Sequence, residues 1–265
     1  MKNLKNIRHV FLDMDETIYR GGTLFPCTMP FLNYLKKTGR SWIFLSNNSS
    51  FSTEDYLEKF ARLGIPAEKH HFYISTDYCI AWLKKNCPEV RSLYLLGMDS
   101  IRPAFENAGF LIKDEGLPDA AVIAFDRSLT YEKLCHAAWL LKSGVPCYAT
   151  HPDVFCPTDQ ATWLPDCGAI IACLETATGV KMRKVLGKPD PGMLCAAAER
   201  VGVPVEQCLM IGDRPMTDIA VGRNAGAATC LIAGDRDVDR TCADFCVRDL
   251  GELHALWAKL EGHPL

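Results

Sequence analysis

Asp13 and Asp15 stand two residues apart in the run Asp13-Met14-Asp15-Glu16-Thr17, directly after the apolar stretch His9-Val10-Phe11-Leu12. Two carboxylates at that spacing share a face if the chain stays extended, and a turn opening at Asp15 aims both at one metal ion. Open α/β sheets gather their ligands outside the carboxyl ends of their strands, where this run would lie. An Asp-rich turn that merely ends a strand has the same residues, so the reading depends on what else the chain brings to strand ends.

Three further segments do this. In Leu45-Ser46-Asn47-Asn48, a hydroxyl and backbone N–H groups follow an apolar strand and can hold a phosphoryl oxygen. Gly187-Lys188-Pro189 offers a cation between a glycine that gives access and a rigid turn. The run Ile211-Gly212-Asp213-Arg214-Pro215-Met216-Thr217-Asp218 adds two carboxylates on either side of a helix start. Taken singly, a lysine before proline is a solvated turn residue and either aspartate a helix cap. Four such segments at successive strand ends form a constellation that suits an anionic substrate and a hard cation.

The elements that must position these groups alternate between strand and helix. His9–Leu12 and Trp42–Leu45 read as buried strands, with a helical pattern over Met29–Leu35 between them. Thr53 is placed to cap an amphipathic helix through Leu57, Phe60 and Leu63, stopped by Gly64 and Pro66, and a further helix covers Ile80–Lys85. From Ser92 a second series begins, with strands at 92–96, 120–124 and 146–149 and a helix over Tyr131–Lys142, enough for its own small sheet. The tail resumes the pattern of the first series, with a helix at 191–200, a strand at 208–211, a helix at 217–225 and a strand at 229–232. The alternation predicts an α/β fold with a mostly parallel sheet covered by helices. No internal repeat or low-complexity linker marks a domain boundary.

With these four segments in this order, the sequence resembles the haloacid dehalogenase superfamily, whose motifs are a DxDx[TV] run, a strand-final Ser or Thr, a Lys and a terminal acidic pair. The long span between Ser46 and Lys188, with Ser46-Asn47-Asn48-Ser49, His151-Pro152-Asp153, Gly187-Lys188-Pro189 and Gly212-Asp213-Arg214, is similar to the type IIA cap subfamily. That subfamily includes nucleotide monophosphatases, p-nitrophenyl phosphatases and phosphoglycolate phosphatases. The resemblance implies a Rossmann-like core over residues 1–81 and 184–265, interrupted by an α/β cap over 82–183. It implies Mg²⁺-dependent hydrolysis of a small phosphomonoester, such as a sugar phosphate or nucleotide, through an aspartyl phosphate. Asp13 would be the nucleophile and Asp15 the general acid and base. Ser46 and the Asn47 amide would bind phosphoryl oxygens, and Lys188 would offset charge on nucleophile and phosphate. Asp13, the Asp15 carbonyl and Asp213 would hold Mg²⁺, with Asp218 orienting the metal shell. The same groups also suit phosphoryl transfer to another hydroxyl, as in a phosphomutase, or a phosphometabolite-binding protein without turnover.

Composition narrows the partners. A formal net charge of -3 and no basic cluster with interleaved aromatics argue against a nucleic-acid polymer. No apolar stretch approaches the roughly 20 residues of a membrane-spanning helix, and Met1–Asn6 runs into the first strand without a secretory core, so a cytoplasmic location is expected. The thirteen cysteines lack paired metal spacing and sit largely within apolar patterns, as small hydrophobes of a reducing compartment. A homo-oligomer is left open.

Three segments depart from the family's pattern, one of them Pro215-Met216, which differs from the commoner Leu-containing version. Glu16 occupies a turn that glycine enters freely, and Pro165-Asp166-Cys167-Gly168 replaces a Gly-rich cap segment. His151-Pro152-Asp153 reads either as substrate-facing or as a satisfied loop. Cys167 reads as packing rather than reactive, His70-His71 as surface, and Trp163 as a substrate-contact candidate in a polar loop.

Overall fold

The computed structural model describes residues 2–157 and 162–262, and the chain divides into two units. The first comprises Met1–Ser46, Lys59–Tyr73 and Lys188–Leu265; the second comprises Asn47–Glu58 and Ile74–Gly187. The chain passes between them at 46/47, 58/59, 73/74 and 187/188. One helix runs unbroken over Ser75–Asn86.

The first unit is built on six strands in the order Phe245–Val247, Ala228–Ile232, Cys208–Gly212, His9–Leu12, Ser41–Ser46 and Phe72–Ile74. The pairings resolved among them are parallel. The His9–Leu12 strand is buried throughout, as a central parallel strand covered on both faces must be. Register then fixes the chemistry, because Leu12 pairs with both Phe44 and Ile211. One step further along, Asp13, Leu45-Ser46 and Gly212-Asp213 arrive at adjacent strand ends. Helices Thr28–Lys37, Pro191–Val201 and Leu250–Glu261 supply the covering layers. Leu250, Leu253 and Trp257 are buried at i, i+3 and i+7, the single stripe such a helix needs.

The second unit carries the separate sheet expected from Ser92 onward. It has five parallel strands in the order Lys184–Val185, Cys147–Ala149, Ala120–Ile123, Ser92–Leu96 and Leu111–Ile112. Leu96, Ile123 and Phe125 pack with Leu140 from the Tyr131–Lys142 helix and with Ile170 and Leu174 from the Cys167–Thr178 helix. A hairpin of Phe155–Cys156 and Leu164–Pro165 completes it.

Some local readings change. The cap of the Thr53–Leu63 helix is Ser52, not Thr53: the Ser52 hydroxyl accepts the Asp55 N–H at 3.1 Å, and the Asp55 carboxylate accepts the Ser52 N–H at 2.8 Å. That is a reciprocal capping box. The expected helix over 217–225 opens instead as a π-turn at Pro215–Ile219 before the α-helix Ala220–Ala225.

Candidate active site

The first unit brings Asp13, Lys188, Asp213 and Asp218 together at the ends of its central strands. Lys188 is 2 % exposed, and all three of its ammonium protons are used. They go to Asp13 Oδ1 at 2.6 Å, Asp218 Oδ1 at 2.6 Å and the Leu45 carbonyl at 3.1 Å. A buried ammonium survives only with such partners. Burial pulls the Lys188 pKa down, but the two carboxylates outweigh it and leave Lys188 above its usual value, firmly charged.

The carboxylates are crowded. Oxygens of Asp13, Asp213 and Asp218 lie within 4.8 Å of one another. Burial, with Asp218 beside it, holds Asp13 well above the ordinary carboxylate range against the pull of Lys188. Burial and Asp218 likewise raise Asp213 to about 6, while Arg236 and Arg214 pull it back. Asp218 has both oxygens engaged, one by Lys188 and the other by the Arg214 N–H at 3.0 Å. Gly212 makes room for it: a Cβ there would stand 2.4 Å from the Asp218 carboxylate carbon.

Asp213 differs. Its Oδ2 accepts from Arg236 at 3.0 Å, whereas its buried Oδ1 has no hydrogen-bond partner among the described residues. An orphaned carboxylate oxygen beside two more carboxylates offers hard oxygen ligands that fit a small divalent cation. Asp13 and Asp213 are the residues with capacity to hold it, while Asp218 is committed to Lys188 and the backbone.

Asp15 lies just past the strand with a half-exposed side chain, 3.7 Å from the Lys59 ammonium, which itself stacks 3.8 Å over the Tyr19 ring. Ser46 is buried at the end of its strand. Glu16 does take the glycine-like conformation, with φ of +61°, and its carboxylate bonds the Arg20 guanidinium at 2.8 Å. Asn47 belongs to the second unit, as do the remaining candidates. His151 is fully buried. Cys167 is also fully buried, and burial raises its thiol to about 12, which fits packing rather than reactivity. Trp163 is 63 % exposed and stacks on Phe155 at 4.4 Å. His71 is half-buried against Trp42 rather than a simple surface residue.

Sequence reasoning missed Arg236. Its guanidinium bonds the Asp213 carboxylate, the Asp213 carbonyl at 2.9 Å, and the Ile232 and Ala233 carbonyls. Its one legible signal is a position just after the strand Ala228–Ile232.

Comparison with known proteins decides the family. A haloacid dehalogenase-like hydrolase model matches residues 10–111, and a HAD-hydrolase-like model matches residues 185–253. The 5′-nucleotidase YutF of Bacillus subtilis is 32% identical across 86% of this chain and 88% of its own length. The chain belongs to the haloacid dehalogenase-like hydrolases. An acid sugar phosphatase of Staphylococcus aureus is 31% identical over 85% of this chain and 86% of its own. The solved structure of a 4-nitrophenylphosphatase from Thermotoga maritima superposes with a TM-score of 0.89 at 36% identity, covering 95% of this chain and 98% of that one. NagD structures among the neighbours place this hydrolase in subfamily IIA. Among its described residues, no helix is long and apolar enough to cross a membrane.

Proposed function

We propose that this hydrolase is a Mg²⁺-dependent phosphatase of small phosphomonoesters, sugar phosphates or nucleotides among them, acting through an aspartyl phosphate on Asp13. The observation that carries the reading is the buried Lys188 bridging Asp13 and Asp218 next to the orphaned Asp213 oxygen. Such a cluster is costly to bury unless it works on charge. The 5′-nucleotidase, acid sugar phosphatase and 4-nitrophenylphosphatase relatives support the reaction class.

In this reading an Asp13 oxygen attacks phosphorus as the ester P–O bond breaks, and Asp15 gives the leaving oxygen its proton. Asp15 then takes a proton from water, whose oxygen displaces the Asp13 carboxylate and releases phosphate. The Ser46 hydroxyl and Asn47 N–H hold equatorial oxygens, and Lys188 offsets the charge that accumulates between nucleophile and phosphate. Asp13, the Asp15 carbonyl and Asp213 would hold the cation. Bound Mg²⁺ supplies the neutralisation that lets an anionic carboxylate approach an anionic ester. Residues 82–183 act as the cap that reads the leaving group, since the strand-end motifs hold a phosphoryl group without distinguishing a sugar from a nucleoside. Free thiols throughout suit work in the cytoplasm.

The test is a screen of sugar phosphates, nucleoside monophosphates, phosphoglycolate, pyridoxal phosphate and p-nitrophenyl phosphate, with Mg²⁺ and with EDTA. Mg²⁺-dependent phosphate release without an added acceptor is the expected result. Turnover only when an acceptor hydroxyl is supplied, or tight binding without product, would overturn it.

A further inference from the structure

The chain passes between its units at four peptide bonds, and two of them fall inside the site's motifs, at Ser46–Asn47 and Gly187–Lys188. Within the second unit, those two exits are packed on each other. The Asn47 carbonyl accepts the Ser75 hydroxyl at 2.6 Å, and its side-chain Nδ2 donates to Asp153 Oδ1 at 3.2 Å. Gly187, at φ of +75°, passes so close that a Cβ would stand 2.8 Å from Asn47 Oδ1 and 2.7 Å from the Thr150 carbonyl.

Asp153 is itself backed by a buried histidine. Its Oδ2 faces His151 Nδ1 at 3.9 Å. At the other edge of the ring, His151 Nε2 lies 3.1 Å from the Ser49 hydroxyl and 3.5 Å from Asp166 Oδ1. The Ser49 oxygen already accepts from the Phe125 N–H at 2.9 Å and from the Thr150 hydroxyl at 3.0 Å. A hydroxyl has two acceptor sites and one hydrogen, which leaves the Ser49 hydrogen for His151 Nε2. His151, Asp153 and Asp166 are close enough to be considered for a metal. However, the carboxylates flank opposite ring nitrogens, and Asp166 also caps the Cys167–Thr178 helix. This arrangement orients an imidazole; it does not surround an ion.

We infer that Asp153 is a positioning residue for phosphate binding. Through its hydrogen bond from Asn47 Nδ2, it fixes Asn47 so that the Asn47 N–H and the adjoining Ser46 hydroxyl stay aimed at a phosphoryl oxygen. The inference rests on the phosphatase reading for the role of Ser46 and Asn47. Donors ordered before the ligand arrives bind it more tightly than donors that must be ordered on binding.

Asp153→Ala and Asp153→Asn test it, with inorganic phosphate affinity measured by calorimetry in saturating Mg²⁺, and KM and kcat measured on p-nitrophenyl phosphate. Asp153→Ala is expected to weaken phosphate and raise KM by about tenfold, as losing one buried hydrogen bond does, with a much smaller change in kcat. Asp153→Asn keeps an oxygen for Asn47 and is expected to restore both constants to near wild type. Asp153→Ser, too short to reach Asn47, carries the same expectation as alanine should the alanine variant not fold. A folded Asp153→Ala or Asp153→Ser protein that binds phosphate as wild type does, or an Asp153→Asn protein as weak as alanine, overturns the inference. If the wild type binds phosphate but turns nothing over, the phosphatase reading fails while the affinity comparison still decides this point.

Discussion

Lys188 Nζ lies 2.6 Å from Asp13 Oδ1 and spends its remaining protons on Asp218 and the Leu45 carbonyl. One cation from the chain's last third thus ties the ends of strands that begin at His9 and Ser41. It also places a fixed positive charge on the proposed nucleophile.

Asp13→Asn keeps shape and removes nucleophilicity. Turnover is expected to fall at least about a thousandfold, the scale on which removing a nucleophile acts. Because burial already disfavours the Asp13 charge, the melting temperature of the metal-free variant is expected to stay level or rise. A well-folded variant with near-wild-type phosphate release would remove Asp13 from the role.

Chelation with EDTA is expected to silence the enzyme and Mg²⁺ to restore it, with Ca²⁺ a poor substitute because it prefers more ligands at longer distances. Full activity after exhaustive chelation would count against the metal site.

The metal response should depend on pH through Asp213, whose metal-free pKa is about 6, above its ordinary value of 3.8. The folded state holds that proton more tightly than the unfolded state, so the Asp213 contribution to metal-free stability is present at low pH and is lost as pH rises through about 6. Ionised Asp213 is the form that binds a cation. The rise in melting temperature on adding Mg²⁺ is therefore expected to be large at pH 7.5 and to fade below pH 6. An undiminished rise at pH 5 would contradict this.

Arg236 lowers the Asp213 pKa. Arg236→Gln is expected to shift the midpoint of that Mg²⁺ response to higher pH, read from the same melting series. A midpoint that stays in place would show that the guanidinium serves only the carbonyls it also bonds.

Gly212→Ala would set a methyl group 2.4 Å from the Asp218 carboxylate carbon. Overpacking of this kind costs about 1–3 kcal/mol, and here the strain falls on a partner of Lys188. Lower stability and lower kcat are expected together; an alanine variant equal to wild type in both would refute the contact's importance.

Much of this site was legible because apolar runs mark strands and the polar residue after each run marks a strand end. Asp13, Ser46, Lys188, Asp213 and Asp218 each carry that mark or sit in a motif that does. Arg236 does not: it reaches Asp213 from 23 residues away, and one-dimensional spacing cannot show such a contact. The Cys167–Thr178 helix is nearly uniform in apolar character, so periodicity gave it little contrast. The Leu250–Glu261 helix did carry a readable stripe in Leu250, Leu253 and Trp257. Strands of two residues, such as Lys184–Val185, are too short to show alternation at all. Unit boundaries left no compositional trace because the chain crosses inside motifs, at Ser46–Asn47 and Gly187–Lys188, rather than in linkers.

The central claim, a phosphoryl group carried by Asp13, is tested most directly with Asp15→Asn and p-nitrophenyl phosphate. Its leaving group departs without a proton, while hydrolysis of the intermediate still needs the missing base. Rapid mixing should give a burst of p-nitrophenolate stoichiometric with enzyme, and acid-quenched protein should carry phosphate on the peptide containing Asp13. Phosphate release in step with p-nitrophenolate, with no phosphoryl group on Asp13, would contradict it.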